Sequence, residues 1–164
     1  MASIEDIQVE TFRSRSYPEN GSRQALFGAE LVQPLAACML PVMLGALVYM
    51  LTGRAPLVWL TTGFPVAIAL ASAWTTFQLR RRVVEVSVRD EAVRVQSAWE
   101  ATGGGLPKWL SVLDVRRNAA WLSVVLGHDE RRIFLNDWPN AERLERSLRE
   151  AAHVFAGRVR SEVG

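Results

Sequence analysis

The side chains that most often perform chemistry are few in this chain and lie far apart. His128 falls in the short polar run GHDE, His153 falls in a helical pattern near the C-terminus, and Cys38 falls in a long apolar stretch. A metal centre needs several ligands around one point, and a catalytic histidine needs a reacting partner within hydrogen-bond reach. The spacing does not predict that these three residues meet. The sequence therefore predicts neither a metal site nor a catalytic site.

A run of glycines at residues 103–105 is the other feature that could hold a ligand. Phosphate-binding loops continue into Lys-Ser or Lys-Thr, whereas this run continues into Leu-Pro-Lys. We interpret it as a loop between strands. The sequence also contains no G-x-S-x-G, H-E-x-x-H or C-x-x-C motif. We therefore expect a protein that is not an enzyme and that has no dedicated metal or organic cofactor.

Two uninterrupted apolar stretches dominate the first half of the chain. They cover residues 31–51 and 57–79, and the only charged residue from 31 to 79 is Arg54 in the break between them. As a helix with a rise of 1.5 Å per residue, each stretch can cross a hydrocarbon core of about 30 Å. Averages over the chain, 22% charged residues and a mean hydropathy of +0.08, hide this feature. The sequence predicts a transmembrane helical hairpin between a tail of residues 1–30 and a domain of residues 80–164.

The arginines next to the spans predict the orientation of the hairpin. Arg80, Arg81 and Arg82 directly follow the second stretch, whereas the connecting loop carries only Arg54. Loops rich in Lys and Arg stay in the cytoplasm. We therefore expect both termini on the cytoplasmic side of a bacterial inner membrane. The same three arginines could also bind anionic lipid headgroups.

Four residues inside the spans are candidates for contact with another molecule. Pro34 and Pro41 lie seven residues apart on one face of the first helix, and each removes a backbone hydrogen bond. Either membrane helices simply tolerate them, or they shape a groove for a bound lipid, quinone or pigment. Ala67 and Ala71 belong to a stretch of small residues, which lets helix backbones approach closely. We expect that face to pack on the first helix or on a partner.

Residues 80–164 carry the pattern of a small antiparallel sheet and a C-terminal helix. Five segments of alternating polarity cover residues 84–88, 93–99, 109–117, 120–126 and 131–135. The helix follows the polar residues 136–140, and its apolar stripe is Leu144, Leu148, Ala151, Phe155 and Val159. Ile7, Val9 and Thr11 also alternate, so the tail could add a strand or lie along a partner. The fold class is α+β: a transmembrane hairpin followed by a sheet or partial barrel with a C-terminal helix.

Tryptophan is frequent in this domain, at Trp99, Trp109, Trp121 and Trp138. Alternation places some of these side chains in the core, whereas an outward-facing tryptophan is a typical anchor of an interface. We treat Trp109, Trp121 and Trp138 as candidate interface residues.

The order of these segments resembles the bacterial pleckstrin-homology-like domains of small two-span membrane proteins. The likeness covers residues 80–160 and rests on V-x-V-x-V, V-R-V-x-S-x-W, LSVLDVRRN, WLSVVLGHDERRIFLNDW and the terminal helix. The chain departs from the usual seven-stranded barrel because only five strands are evident. The resemblance implies a binding scaffold without a common catalytic apparatus.

These observations predict a non-catalytic accessory or structural subunit of a larger bacterial membrane complex, such as a respiratory or photosynthetic assembly. Its partners would be integral membrane proteins and anionic lipids. The alternative is a membrane-anchored module that senses lipid or peptide in a basic pocket containing Arg89, Arg116 or Arg131. A net charge of only +2 does not favour nucleic acid, which would require a dominant basic surface.

Overall fold

The computed structural model describes residues 9–18, 22–103 and 107–163, without the side chains of residues 162 and 163. In chain order the elements are β1 (Glu10–Arg13), α1 (Arg23–Leu51), α2 (Leu57–Arg81), β2 (Val83–Arg89), β3 (Ala92–Ser97), α3 (Ala98–Ala101), β4 (Leu110–Arg117), β5 (Trp121–Leu126), β6 (Asp129–Phe134), a 3-10 turn (Leu135–Asp137) and α4 (Ala141–Val163). The fold class is α+β. Of the predicted features, Ile7 and the glycines at 104 and 105 lie outside the described residues.

The described residues form two compact units. One unit contains residues 22–79, which comprise α1 and most of α2. The other contains residues 9–18 and 80–163, which comprise all six strands, α3 and α4. Residues 9–18 of the predicted tail therefore belong with the C-terminal domain, whereas its residues 22–30 belong with α1.

The first long helix begins at Arg23, earlier than the apolar stretch that starts at Leu31. Ser22 explains this start because its hydroxyl accepts a hydrogen bond from the Ala25 N–H at 3.2 Å, as a helix N-cap does. Helix α1 ends before Gly53, whose φ of 71° is the left-handed conformation that glycine adopts without strain. Helices α1 and α2 are both long and apolar enough to cross a membrane, by length and composition.

The six strands form one antiparallel sheet in sequential order. All five strands expected in residues 80–164 are present, and the sixth comes from the N-terminal tail. Strand β1 pairs with β2 from Glu10 opposite Val88 to Arg13 opposite Glu85. Of the two alternatives for the tail, the structure shows the added strand.

Strand β3 ends at Ser97, so the prediction that the strand reaches Trp99 is wrong. Ser97 starts the one-turn helix α3, where its hydroxyl accepts a hydrogen bond from the Glu100 N–H at 3.3 Å. The Glu100 carboxylate in turn accepts from the Ser97 N–H at 2.8 Å. This reciprocal pair is a capping box, which stabilises a helix start more than strand continuation. Trp99 therefore lies on a helix.

Helix α4 covers one face of the sheet and completes the core. The core contains buried residues of every strand, of the segment before α4 and of α4 itself: Phe12, Val83, Val86, Val88, Val93, Val112, Leu122, Val124, Leu126, Ile133, Trp138, Leu144, Leu148 and Ala151. The predicted stripe of α4 is buried only as far as Ala151. Phe155 is half-buried and Val159 is 43% exposed, so the last turns of α4 lie outside the core.

Hydrogen bonds from the N-terminal segment bring the two ends of the sheet together. The Arg15 N–H donates to the Asp137 carbonyl at 2.7 Å, which joins the segment after β1 to the turn after β6. Glu10 of β1 is also held by α4, through Arg143 Nε at 2.6 Å and the Ser147 hydroxyl at 2.7 Å. These contacts make the sheet a partly closed structure rather than an open layer.

Candidate functional site

The two long helices are joined near their connecting loop by the side chain of Trp59. Its indole N–H donates to the Val42 carbonyl of α1 at 2.8 Å. Its ring stacks on Tyr49 with ring centroids 5.8 Å apart and an interplanar angle of 23°. Gly45 makes room for the ring, because a Cβ there would lie 2.3 Å from two indole atoms. The contact therefore depends on the absence of a side chain at residue 45.

A second glycine allows close contact between the same helices. A Cβ at Gly63 would lie 2.7 Å from a methyl group of Val42, so the Val42 side chain fills the space that glycine leaves. Farther along α2 the buried residues recur at every fourth position, which places them on one face of the helix: Ala67, Ala71, Thr75 and Leu79. Small residues at this spacing are typical of closely packed membrane helices.

An apolar groove of about 290 Å³ lies beside this contact. Its lining comes from both helices: Cys38, Pro41, Val42, Trp59, Thr62, Gly63, Val66, Ala67 and Leu70. Of the residues predicted from the sequence, Pro41 and Ala67 meet in this groove. Pro34 and Ala71 are buried and do not line it. Gly45, Gly63 and Trp59 were not predicted to form this contact, because their pairing depends on the register of the two helices.

The three candidate tryptophans have different environments. Trp138 is 5% exposed and belongs to the core of the domain, so it is not available to a partner and its selection as an interface residue was wrong. The Trp109 ring is half-buried under the Arg94 guanidinium, 5.0 Å from the ring centroid. Trp121 is half-buried at the outer face of the sheet, opposite Phe134 in the strand pairing.

Trp121 belongs to an aromatic and basic cluster on β5 and β6. Its ring meets the edge of Phe134 with centroids 6.5 Å apart, and the Arg132 guanidinium lies 5.8 Å above it. Phe134 is 54% exposed. Neither Phe134 nor Arg132 was predicted as a site residue, although the alternation of β6 places both on the side of the sheet away from the core.

The three arginines at the end of α2 are not equivalent. The Arg80 guanidinium lies 5.7 Å from the centre of the Trp99 ring. Arg82 is half-buried and donates to the Ser16 hydroxyl at 2.6 Å. Arg81 is exposed and lines a cleft at the edge of the sheet.

This cleft, called here the Arg81 cleft, has a volume of about 510 Å³. Its lining residues are Arg81, Asp129, Glu130, Arg131, Arg132 and Phe134. Asp129 accepts from Arg131 at 3.1 Å, and Glu130 accepts a hydrogen bond from the Ser123 hydroxyl. The lining thus contains three arginines and two carboxylates, and both carboxylates accept hydrogen bonds from other side chains.

The basic pocket predicted from the sequence does not form as expected. Arg131 lines the Arg81 cleft, whereas Arg89 lines a different open pocket beside Trp109. Arg116 pairs with Asp114 at 2.7 Å on the exposed surface of β4. Their strands separate these residues, so the predicted set of three does not share one site.

The residues with potential for chemistry stay dispersed in the fold. His128 is exposed in the turn between β5 and β6, and His153 is exposed on α4. Cys38 is half-buried in the groove. Within the described ranges, no group of three or more His, Cys, Asp or Glu side chains could hold a metal ion.

No family model matches the chain, and comparison with curated proteins and with solved structures gives no significant match. The resemblance to the bacterial pleckstrin-homology-like domains stays a prediction. The interpretation of the two surfaces therefore depends on their geometry and chemistry.

Proposed function

We propose that the protein is a non-catalytic accessory subunit of a larger assembly in the bacterial inner membrane. In this proposal α1 and α2 span the membrane, both termini lie in the cytoplasm, and the sheet with α4 is a pleckstrin-homology-like scaffold. The observation that carries the proposal is the apolar groove formed by both helices.

The groove is suited to a neighbouring membrane helix because of how such helices associate. Lipid tails are as apolar as the helices, so association inside a bilayer depends on close van der Waals packing rather than on the hydrophobic effect. Ala67 presents only a methyl group to the groove, and Val66 and Leu70 border it as exposed side chains. The Trp59 contact fixes the two helices against each other at this point, so little conformational entropy is lost when a partner packs there.

The proposal is tested by filling the groove. Val66→Trp adds a large side chain to the groove, and Ile68→Trp makes the same kind of change at a residue of α2 that is 49% exposed and does not line the groove. Tagged variants are purified from native membranes in a mild detergent, and the proteins that co-purify are quantified by mass spectrometry.

We expect wild type and Ile68→Trp to recover one membrane complex in fixed stoichiometry and Val66→Trp to lose it. Recovery of the protein alone in all three cases would disprove the subunit proposal. Equal recovery with both variants would show that the partner binds elsewhere, and it would remove the groove as the basis of the proposal.

The second candidate function is a membrane-anchored module that senses lipid. The Arg81 cleft specifically favours it, because this cleft combines Arg81 at the end of α2 with Arg131 and Arg132 of β6. The two functions use different surfaces of the chain, and each can be tested without the other.

A further inference from the structure

We propose that the Arg81 cleft binds the phosphate of an anionic phospholipid in the leaflet where α2 leaves the membrane. This inference rests on the part of the proposed function in which α1 and α2 span the bilayer. It does not depend on a protein partner.

In this proposal the covalent chain places Arg81 at the level of the lipid headgroups. Arg81 is the last residue of α2 and follows the last apolar residue of the span, Leu79, by two positions. At 1.5 Å per residue, its backbone lies about 3 Å beyond that residue along the helix. Arg131, Arg132 and Phe134 line the same cleft as Arg81, so a headgroup bound at Arg81 lies beside them.

The charges of the cleft suit a phosphate diester. A guanidinium presents parallel N–H donors that match two phosphate oxygens, and this geometry makes arginine a preferred phosphate ligand. The Trp121 ring orients the Arg132 guanidinium. Because an aromatic ring carries no net charge, the positive charge of Arg132 is not neutralised by this contact. Arg131 is bound to Asp129, whose side chain is 69% exposed, and such an exposed pair is weak enough for a phosphate to compete with it.

Phe134 favours a lipid over a free phosphate ion as the occupant. Its ring borders the cleft, is 54% exposed, and has Trp121 as its aromatic neighbour. Aromatic side chains are enriched at the boundary between headgroups and acyl chains. A lipid would place its phosphate among the arginines and its glycerol region against this ring, whereas an inorganic ion would use the arginines alone.

The experiment compares cleft arginines with matched arginines outside the cleft. Arg81→Gln and Arg132→Gln each remove one charge from the cleft. The two matched variants remove the same charge outside the cleft. Arg80→Gln acts at the neighbouring position of α2, where the Arg80 side chain contacts Trp99. Arg116→Gln acts on β4, where the Arg116 side chain pairs with Asp114.

Full-length protein is placed in nanodiscs of phosphatidylcholine with a minor share of phosphatidylglycerol. Retained lipid is counted by native mass spectrometry. We expect retention of phosphatidylglycerol in preference to phosphatidylcholine, and a loss of about fivefold in affinity for each cleft variant, since one arginine near a charged surface contributes about a factor of this size. The two matched variants should change the affinity by less than about twofold, because neither side chain lines the cleft: Arg80 lies over the Trp99 ring and Arg116 pairs with Asp114.

Four results would overturn the proposal. Equal losses in all four variants would mean that general positive charge retains the lipid, and equal retention of the two lipids would mean that the cleft does not select anions. Displacement of the lipid by inorganic phosphate at equal concentration would identify the cleft as a site for a free ion. If the protein does not elute with the nanodisc, membrane insertion itself fails, and both proposals fail with it.

Val66→Trp alters the groove only, so loss of the membrane complex with intact lipid retention would separate the two proposals.

Discussion

The contact of the Trp59 ring with α1 at Gly45 predicts that Gly45→Ala destabilises the packing of the two long helices. Alanine is normally the better helix residue, so replacing a glycine inside a helix is expected to stabilise it by about 0.5–1 kcal/mol. At residue 45 the added Cβ would lie 2.3 Å from Cε2 and Nε1 of Trp59 and 2.6 Å from Cζ2. The indole must therefore move.

The cost follows from the two contacts that the indole would lose. The hydrogen bond from its N–H to the Val42 carbonyl, 2.8 Å long, contributes about 0.5–1.5 kcal/mol. Stacking on Tyr49 contributes a further amount of about 0.5–1.5 kcal/mol. After the helix propensity of alanine is subtracted, we expect a net loss of about 1 kcal/mol.

A second substitution reverses the sign of this effect. In a Trp59→Leu background the ring is absent, so Gly45→Ala should stabilise the helix pair by about 0.5–1 kcal/mol. Gly28→Ala is the matched control, because a Cβ at that position meets nothing within 4 Å. This control should stabilise α1 in both backgrounds.

The assay measures separation of the helices during an SDS titration from mild detergent. Cys38 is replaced by Ser, and a donor and an acceptor dye are attached at Gln33→Cys and Ala73→Cys, which are both exposed. The SDS fraction at half-maximal loss of energy transfer gives the relative stability. The reasoning is refuted if Gly45→Ala behaves like Gly28→Ala while Trp59 is present.

Two further predictions concern the sheet and α4, and both are measured on the full-length protein in detergent. Leu144→Ala should lower the free energy of unfolding by about 2–5 kcal/mol because Leu144 has no exposed surface, whereas Leu113→Ala, at a residue 47% exposed, should change it little. Thermal unfolding measures both effects, and equal decreases in the melting temperatures of Leu144→Ala and Leu113→Ala would contradict the assignment of Leu144 to the core. Glu10→Gln should reduce stability by less than about 1 kcal/mol because its ion-pair partner on α4 is largely exposed, yet it should speed hydrogen exchange in β1. The control is Glu142→Gln, which removes a charge from α4 and should leave the exchange in β1 unchanged. Unchanged exchange in β1 of the Glu10→Gln variant would show that Glu10 does not hold the strand.

The elements with a strong periodic pattern could be predicted from the sequence. The alternation of Val84, Val86 and Val88 gives β2, and the uninterrupted apolar stretches give most of α1 and α2. The start of α1 could not be found in this way, because residues 23–30 carry a mixed pattern and Ser22 acts through its hydroxyl. The end of β3 could have been found, since Ser97 and Glu100 have the spacing of a capping box.

The candidate surfaces were less predictable because they depend on contacts between distant parts of the chain. Pro41 and Ala67 could be selected by residue type, but Gly45 and Trp59 gain their roles only from the register of α1 against α2. Arg81 likewise could be placed at the end of a span, but its cleft with β6 requires the sheet to bring the two segments together. Residue type indicated which side chains could bind a helix or a phosphate, whereas the fold determines which of these side chains lie together in one site.

The pairing of β1 with β2 constrains how the helices can cross a membrane. Strand β1 precedes α1, strand β2 follows α2, and the two are hydrogen-bonded neighbours in one sheet. A sheet forms in a single aqueous compartment, because unpaired strand edges do not occur in the hydrocarbon region. The chain between Arg13 and Val83 must therefore cross the bilayer an even number of times. A single crossing would separate the two strands and break the contact between Glu10 and Arg143. Consequently α1 and α2 enter the membrane together or not at all, and this conclusion is independent of the arginines that predict the cytoplasmic side.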